Sequence, residues 1–329
     1  MSTLAPILQA FFTERLAHQR QASQHTIAAY RDTFRLLLAF AQETTGRTPS
    51  NLRLEDVDAL LVGAFLDHLE AGRHNSFRTR NARLAAVHSL FRFAAMRHPE
   101  QAALIQRVLA IPAKRGERNL VTFLDPAEID ALLAAPDRTR WVGRRDHALL
   151  LTAVQTGLRV SEITGLSCQD VQLGRGAHIR CRGKGRKERA TPLTDQTVAT
   201  LRTWLAESHR QAPDPLFPGP QGKPLTRAAV AAIVTKYAEA ASQSCSSLKS
   251  KNVSPHTLRH TCAMQLLHAG VDTSIIALWL GHESAETTQI YLHADLATKE
   301  RALSRTAPPH TSPGRYQAPD DLLAFLESL

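Results

Sequence analysis

One stretch limits the fold more than any other: "DVQLGRGAHIRCRGKGRKERATPL", Asp170 to Leu193, holds the strong strand signal of the chain. Short alternating runs flank glycine turns there, and Gly183 to Gly185 is placed as a hairpin tip. Elsewhere apolar residues recur at three and four spacing, as helices with one buried face require. The predicted fold is therefore mainly α with a small antiparallel β-sheet.

At 329 residues the chain is long for one core, since domains usually hold roughly 100–200 residues, and two units are expected. The first reads as helices in "LAPILQAFFTERLAHQR", "SQHTIAAYRDTFRLLLAFAQETTG", "DVDALLVGAFLDHLEAG" and "SFRTRNARLAAVHSLFRFAAMRH". Ser23 and Thr26 offer N-caps, and Gly46 and Gly72 offer stops. Pro112 then breaks the pattern in "IPAKRGERNLVTF", a basic stretch suited to a linker. Asp125 and Pro126 open a helix in the larger second unit, and Gly157 ends the next one. The expected divisions are a helical domain over 1–111, a linker over 112–119, a domain with helices and the sheet over 120–305, and a Pro-rich tether with a short helix over 306–329.

Lys and Arg outnumber Asp and Glu by 40 to 30, giving +10 and a pI near 9.9, which favours a polyanionic partner. Charge alone leaves nucleic acid and an anionic membrane surface both open. No window approaches the roughly 18 apolar residues of a membrane span, and charges arrive too early for a signal peptide, so a cytoplasmic protein is expected. Cys168, Cys181, Cys245 and Cys262 lack C-x-x-C spacing and read as reduced thiols, not as a zinc or disulfide framework.

Arg73 to His98 carries six arginines and no acid. It reads as a solvated helix face or as a helix on a phosphate backbone. Arg78, Arg80 and Arg83 there, with Lys114 and Arg115 of the linker, are the DNA-contact candidates.

Four short motifs carry candidate chemistry. In "TGLRVSEITGL" Arg159 opens a helix where its fork can meet a phosphate, with Glu162 three positions on; the plainer reading is a surface ion pair. In "CRGKGRKERATPL" Lys184 sits at the hairpin tip, where it can deliver a proton or be a solvated turn residue. In "SPHTLRHT" Ser254 caps a helix, Pro255 enters it, and His256 and Arg259 follow one turn apart, where both can point at one anion; the plainer reading is a capping His256 and a salt-bridged Arg259. The order is not H-E-x-x-H, so no zinc-protease helix is indicated. In "DTSIIALWLGHESAETTQIYLHAD" an apolar helix stops at Gly281, His282 begins the exit, and Ser284 caps a further short helix. Tyr291 is expected about two turns in, on a polar turn with little core around it; the plainer reading of a lone helical tyrosine is an amphipathic packing residue. Together these residues can surround a phosphodiester: cations stabilise charge on the non-bridging oxygens, a tyrosine attacks, and an acid protonates the leaving alkoxide. No paired carboxylates suit a magnesium ion, so phosphoryl transfer without metal or other cofactor is the expectation.

With "TGLRVSEI", "GKGRKER", "HTLRHTCA" and "LGHESAETTQIYLHAD" in this order, the sequence resembles the tyrosine recombinase family, the phage-integrase and Xer-type site-specific recombinases. The resemblance spans most of Leu120 to Ala302, and the helical first part is similar to the family's core-binding domain. It implies an α+β catalytic domain in which Arg159 and Arg259 clamp phosphate, His256 and His282 assist, Lys184 is the general acid, Glu162 supports, and Tyr291 forms a 3′-phosphotyrosyl link. It further implies rejoining without ATP or a divalent ion, a C-shaped clamp on double-stranded DNA, and four protomers on two sites, with partner recombinases as an option. Integration, excision or transposition of a mobile element is the expected role. Xer-like chromosome-dimer resolution, a type IB topoisomerase and a non-catalytic DNA-binding regulator are the alternatives. "SQSCSSLKSKN" and the tail "APPHTSPGRYQAPDDLLAFLESL" depart from a minimal member. The tail is expected to dock on a neighbouring protomer or on its own domain.

Overall fold

A computed structural model describes residues 3–116, 121–183, 188–208, 212–281, 288 and 291. The chain divides into two compact units, residues 1–118 and 119–329. The first is helical. Helix α1 (Leu4–Ala10) runs on in π-helical turns over Phe11–Gln19 and is followed by α2 (Gln24–Thr45), α3 (Ala59–Ala71), α4 (Phe77–Ala95) and α5 (Ala102–Leu109). Ser23, Asp58 and Ser76 each accept a backbone N–H in the first turn of α2, α3 and α4, which satisfies a donor that the helix start would leave open. Ser23, not Thr26, is the cap of α2, and Gly46 ends that helix in the left-handed conformation. The apolar stripes meet in one core around Phe11, Phe34, Phe65, Leu84, Val87 and Phe91.

The linker does not leave this unit at Pro112. Asn81 of α4 donates to Lys114 O at 2.8 Å and accepts Lys114 N–H at 3.0 Å, while Arg80 donates to Pro112 O at 3.3 Å. An amide side chain thus pairs with the linker backbone as a strand would.

The second unit holds α6 (Pro126–Ala134), α7 (Trp141–Thr156), α8 (Val160–Gly165), β1 (Val171–Gln172), β2 (His178–Arg182), β3 (Glu188–Pro192), α9 (Asp195–Ser208), α10 (Arg227–Ala241), α11 (Pro255–His268) and α12 (Thr273–Leu280). The strands form an antiparallel sheet in the order β1-β2-β3, with Ile179 opposite Thr191 and Cys181 opposite Arg189. Its fold is thus mainly helical with one small sheet. The core runs between α7, the sheet, α9, α10 and α11 through Leu149, Ile179, Leu201, Val234 and Leu258. No helix among the described residues is long and apolar enough to cross a membrane.

The polar loop before α11 has an internal partner. Lys251 Nζ and Ser247 Oγ donate to Glu128 at 2.6 Å each, and Glu128, fully buried, also caps Asp125 N–H in a capping box. Burial would raise the Glu128 carboxyl, but the bonds from Lys251, Ser247 and Asp125 and the Lys251 charge hold it below its ordinary value.

Candidate active site

Gly157 ends α7 at φ +63, a conformation costly for side chains other than glycine's. A Cβ there would meet Leu280 at 2.7 Å, so the missing side chain also lets α12 approach. Two residues on, Arg159 is the N-cap of α8, and its backbone N–H donates to Glu162 Oε2 at 2.7 Å. Glu162, three positions on, thus satisfies the backbone N–H at the start of α8.

Glu162 is not part of a surface ion pair. Its side chain is 3% exposed and accepts both ends of the Arg189 fork at 2.8 Å, while Arg159 Nη1 stands at a longer 3.2 Å. Burial pushes this carboxyl up, and the Arg189 bond, the Arg159 N–H and the two positive charges outweigh it and hold it low.

Capped by Ser254 and entered through Pro255, α11 presents His256, Arg259 and His260 over its first turns. Arg259 is buried and donates to Gly157 O at 2.7 Å and to Leu280 O at 2.6 Å. Burial and then the neighbouring charge of Arg159 lower its guanidinium to about 10, still protonated at neutral pH. His256 is exposed, and its ring lies 4.2 Å from that of His260 in an edge-to-face contact.

Helix α12 closes the site with its C-terminal end. Arg189 Nε donates to Trp279 O at 3.0 Å, Arg259 Nη2 to Leu280 O, and Arg159 Nη2 to Gly281 O at 3.0 Å. Three arginines from three different elements thus meet three successive carbonyls, which a helix end leaves without intrahelical partners and at its negative pole.

Tyr291 departs from the sequence expectation. It is helical but 1% exposed, packed with Cys262, Met264, Leu267, Ile276 and Leu280 rather than set on a polar turn. Its Oη lies 3.0 Å from His260 Nδ1, a hydrogen bond whose donor depends on the imidazole tautomer. The polar residues around it in sequence hid this burial, because the partners come from α11 and α12. Burial pushes the phenol up to about 12, against the pull of Arg259. Burial, then the charges of His256 and Arg259, pushes His260 down to about 4, so both rings are neutral near pH 7.

Arg159, Glu162, His256, Arg259 and Tyr291 therefore lie in one unit, linked through the α12 end and His260. Lys184, His282 and Ser284 lie outside the described residues, as does the 306–329 tail. The sequence reading missed Arg189 and His260. Strand alternation carried a signal for the first, since Arg189 and the buried Thr191 share a face of β3. Helical spacing carried one for the second, four residues after His256.

In the first unit, Arg78, Lys114 and Arg115 are exposed, with Lys114 paired to Glu70. Arg83 is half-buried, and its Nη1 is buried without a hydrogen-bond partner among the described residues. Arg80 differs from the outward placement expected of it. It is 6% exposed, beside Glu70 at 3.8 Å, and it holds the linker at Pro112 O. Its position one turn from the linker explains this, because a buried cation needs a carboxylate and a carbonyl that α3 and Pro112 supply.

Residues 122–297 match the phage integrase family, and residues 10–98 match the phage integrase N-terminal SAM-like domain. A Sinorhizobium fredii protein described as an integrase/recombinase, y4rC, is 56% identical over 328 residues, covering 100% of this chain and 99% of its own. The tyrosine recombinase XerC of Pelobacter propionicus is 34% identical over 308 residues, 92% of this chain and 95% of its own. Among solved structures, XerH recombinase bound to a palindromic difH substrate, in a post-cleavage complex, aligns at a TM-score of 0.70 and 25% identity over 87% of this chain and 81% of that one. The Tn1549 transposon integrase in complex with a circular intermediate DNA shares the fold at a TM-score of 0.68 and 16% identity, over 93% of this chain and 100% of that one. With both units matched, the chain belongs to the phage integrase family, the tyrosine recombinases, enzymes that cleave and rejoin DNA strands through a tyrosine.

Proposed function

We propose that Tyr291 is the nucleophile of this recombinase. Its Oη gives its proton to the neutral His260 ring and attacks a backbone phosphorus, the bond to the 5′ oxygen breaks, and the 3′ end is held as a phosphotyrosyl ester until a 5′ hydroxyl reverses the step. Arg159 and Arg259 bind the non-bridging oxygens, His256 and His282 assist them, Glu162 supports Arg159 by holding its backbone N–H, and Lys184 gives its proton to the departing 5′ oxygen. The observation that carries this reading is the convergence of both guanidiniums on the end of α12, with Tyr291 bonded to the histidine next to Arg259. At 1% exposure the phenol must shift outward to reach a phosphate, so cleavage includes a displacement of the Tyr291 ring from its contacts with α11 and α12.

The first unit grips the duplex backbone through Arg78, Arg83, Lys114 and Arg115, and Arg80 serves by fixing the linker that carries the last two. The working assembly is four protomers on two double-stranded DNA sites, alone or with partner recombinases, and the 306–329 tail docks within it. The role is integration, excision or transposition of a mobile element, which similarity to the integrase/recombinase y4rC favours. Xer-like dimer resolution is the second reading, favoured by the near full-length similarity to XerC.

The test is adduct capture. A library of nicked duplexes is incubated with wild type and with Tyr291→Phe, and protein-linked 3′ ends are recovered by phenol partition and sequenced. Adducts with wild type and none with the variant are expected. An adduct in the variant, or none in wild type, refutes the assignment. Recombination between two copies of the captured site, on one plasmid or two, then separates resolution from integration.

A further inference from the structure

Arg189 joins parts of the site that are far apart in sequence. It lies on β3, five positions after Lys184 in sequence, its two Nη atoms donate to the two oxygens of Glu162 at 2.8 Å, and its Nε donates to Trp279 O at 3.0 Å. A Cβ on Gly281 would lie 2.8 Å from Arg189 Nη1, so the guanidinium packs directly on the residue before His282. The pair is shielded, with side-chain exposures of 13% for Arg189 and 3% for Glu162.

This geometry decides what Glu162 does to Arg159. A buried carboxylate next to a phosphate-binding arginine is a competitor for that arginine, because it offers the same bidentate seat that a phosphate offers. Here Arg189 fills the seat. Arg159 touches Glu162 by one longer bond at 3.2 Å and directs its other arm to Gly281 O.

We infer that Arg189 is a positioning residue for strand cleavage: by occupying both oxygens of Glu162 it keeps the Arg159 fork available to the phosphate, and through Trp279 O and Gly281 it ties β3 to the end of α12. The inference rests on the reading of Arg159 as a phosphate ligand. A lysine cannot replace it, since one ammonium cannot make the parallel pair to Glu162 and reach Trp279 O as well.

The experiment uses full-length protein and the nicked duplex recovered by adduct capture, comparing Arg189→Lys, Glu162→Gln and the double variant in single-turnover cleavage, duplex binding and thermal melting. Arg189→Lys is expected to slow cleavage about 10–100-fold, the usual scale for a group that orients a reacting one, with duplex binding held within about threefold. Adding Glu162→Gln removes the competing charge and is expected to restore cleavage by several-fold, a gain that a purely structural loss would not show. Wild-type cleavage by Arg189→Lys, a loss matched in binding, or a double variant no faster than Arg189→Lys would each overturn the inference. If Arg189→Lys does not fold, Arg189→Gln with the same partner takes its place. Absence of any adduct with wild type would instead count against the assignment of Tyr291.

Discussion

The burial of His260 beside Tyr291, next to the charges of His256 and Arg259, makes the stability of the second unit depend on pH in a way that can be isolated. An unfolded chain takes up a proton on His260 near the ordinary value of 6.5, whereas the folded ring resists it down to about 4. Between those values the unfolded state binds more protons, so stability is present in full above pH 6.5 and is lost as pH falls through the window. Integrated from pH 7.5 to 5.0, the difference is about 2 kcal/mol for this one group. Since the ring keeps partial contact with water, about 1 kcal/mol is a fair lower figure. A domain of this size shifts its midpoint by roughly 2–4 °C per kcal/mol, giving roughly 2–8 °C. The assay is thermal unfolding of wild type and His260→Gln at pH 7.5 and pH 5.0. Glutamine still offers Tyr291 a partner but takes no proton. His88 and His147, both lowered by burial first and away from this pair, contribute equally to both proteins. Wild type should lose roughly 2–8 °C more than the variant on acidification. An equal loss in both would refute the reasoning.

Other changes test other parts of the molecule. Arg259→Ala strips the partner from Gly157 O and Leu280 O and should cost about 2–4 kcal/mol in denaturant unfolding as well as abolishing cleavage; Arg259→Lys should recover stability more than activity. Gly281→Ala forces a side chain into φ +64 and against Arg189, and should cost roughly 1–2 kcal/mol with a measurable slowing of adduct formation. Lys251→Met leaves the buried Glu128 with one cation fewer and should destabilise by about 2–4 kcal/mol at pH 7. Because Glu128 titrates low, that penalty should shrink as pH falls and the stranded carboxylate takes up a proton, a trend that unfolding at pH 7 and pH 4.5 would check. Arg83→Ala should weaken duplex binding for all sequences alike and reduce the slope of log affinity against log salt by about 1, as loss of one phosphate contact does.

Much of the architecture was legible because it is local. Caps at Ser23, Asp125 and Ser254 and stops at Gly46, Gly157 and Gly281 are written in single residues, and each stands where its backbone conformation demands. The β2–β3 pairing was legible from alternation around glycines. What escaped is long-range. Nothing near Tyr291 in sequence announces the cluster from α11 and α12 that buries it. Arg80 and Arg78 look alike in a basic helix, yet only the return of Pro112 to α4 turns the first one inward. The role of Lys251 depends on a capping glutamate more than a hundred positions earlier, a pairing that no periodicity reports.

The three carbonyls at the end of α12 have a consequence for how this site tolerates change. They belong to the backbone of Trp279, Leu280 and Gly281, so the grip on the three arginines does not depend on which side chains occupy the first two positions. It depends on where the helix stops. A deletion of one residue within Thr273–Leu280 would rotate the terminal carbonyls by about 100° and withdraw them by about 1.5 Å, missing all three guanidiniums together. Within this helix, length is therefore under tighter constraint than residue identity.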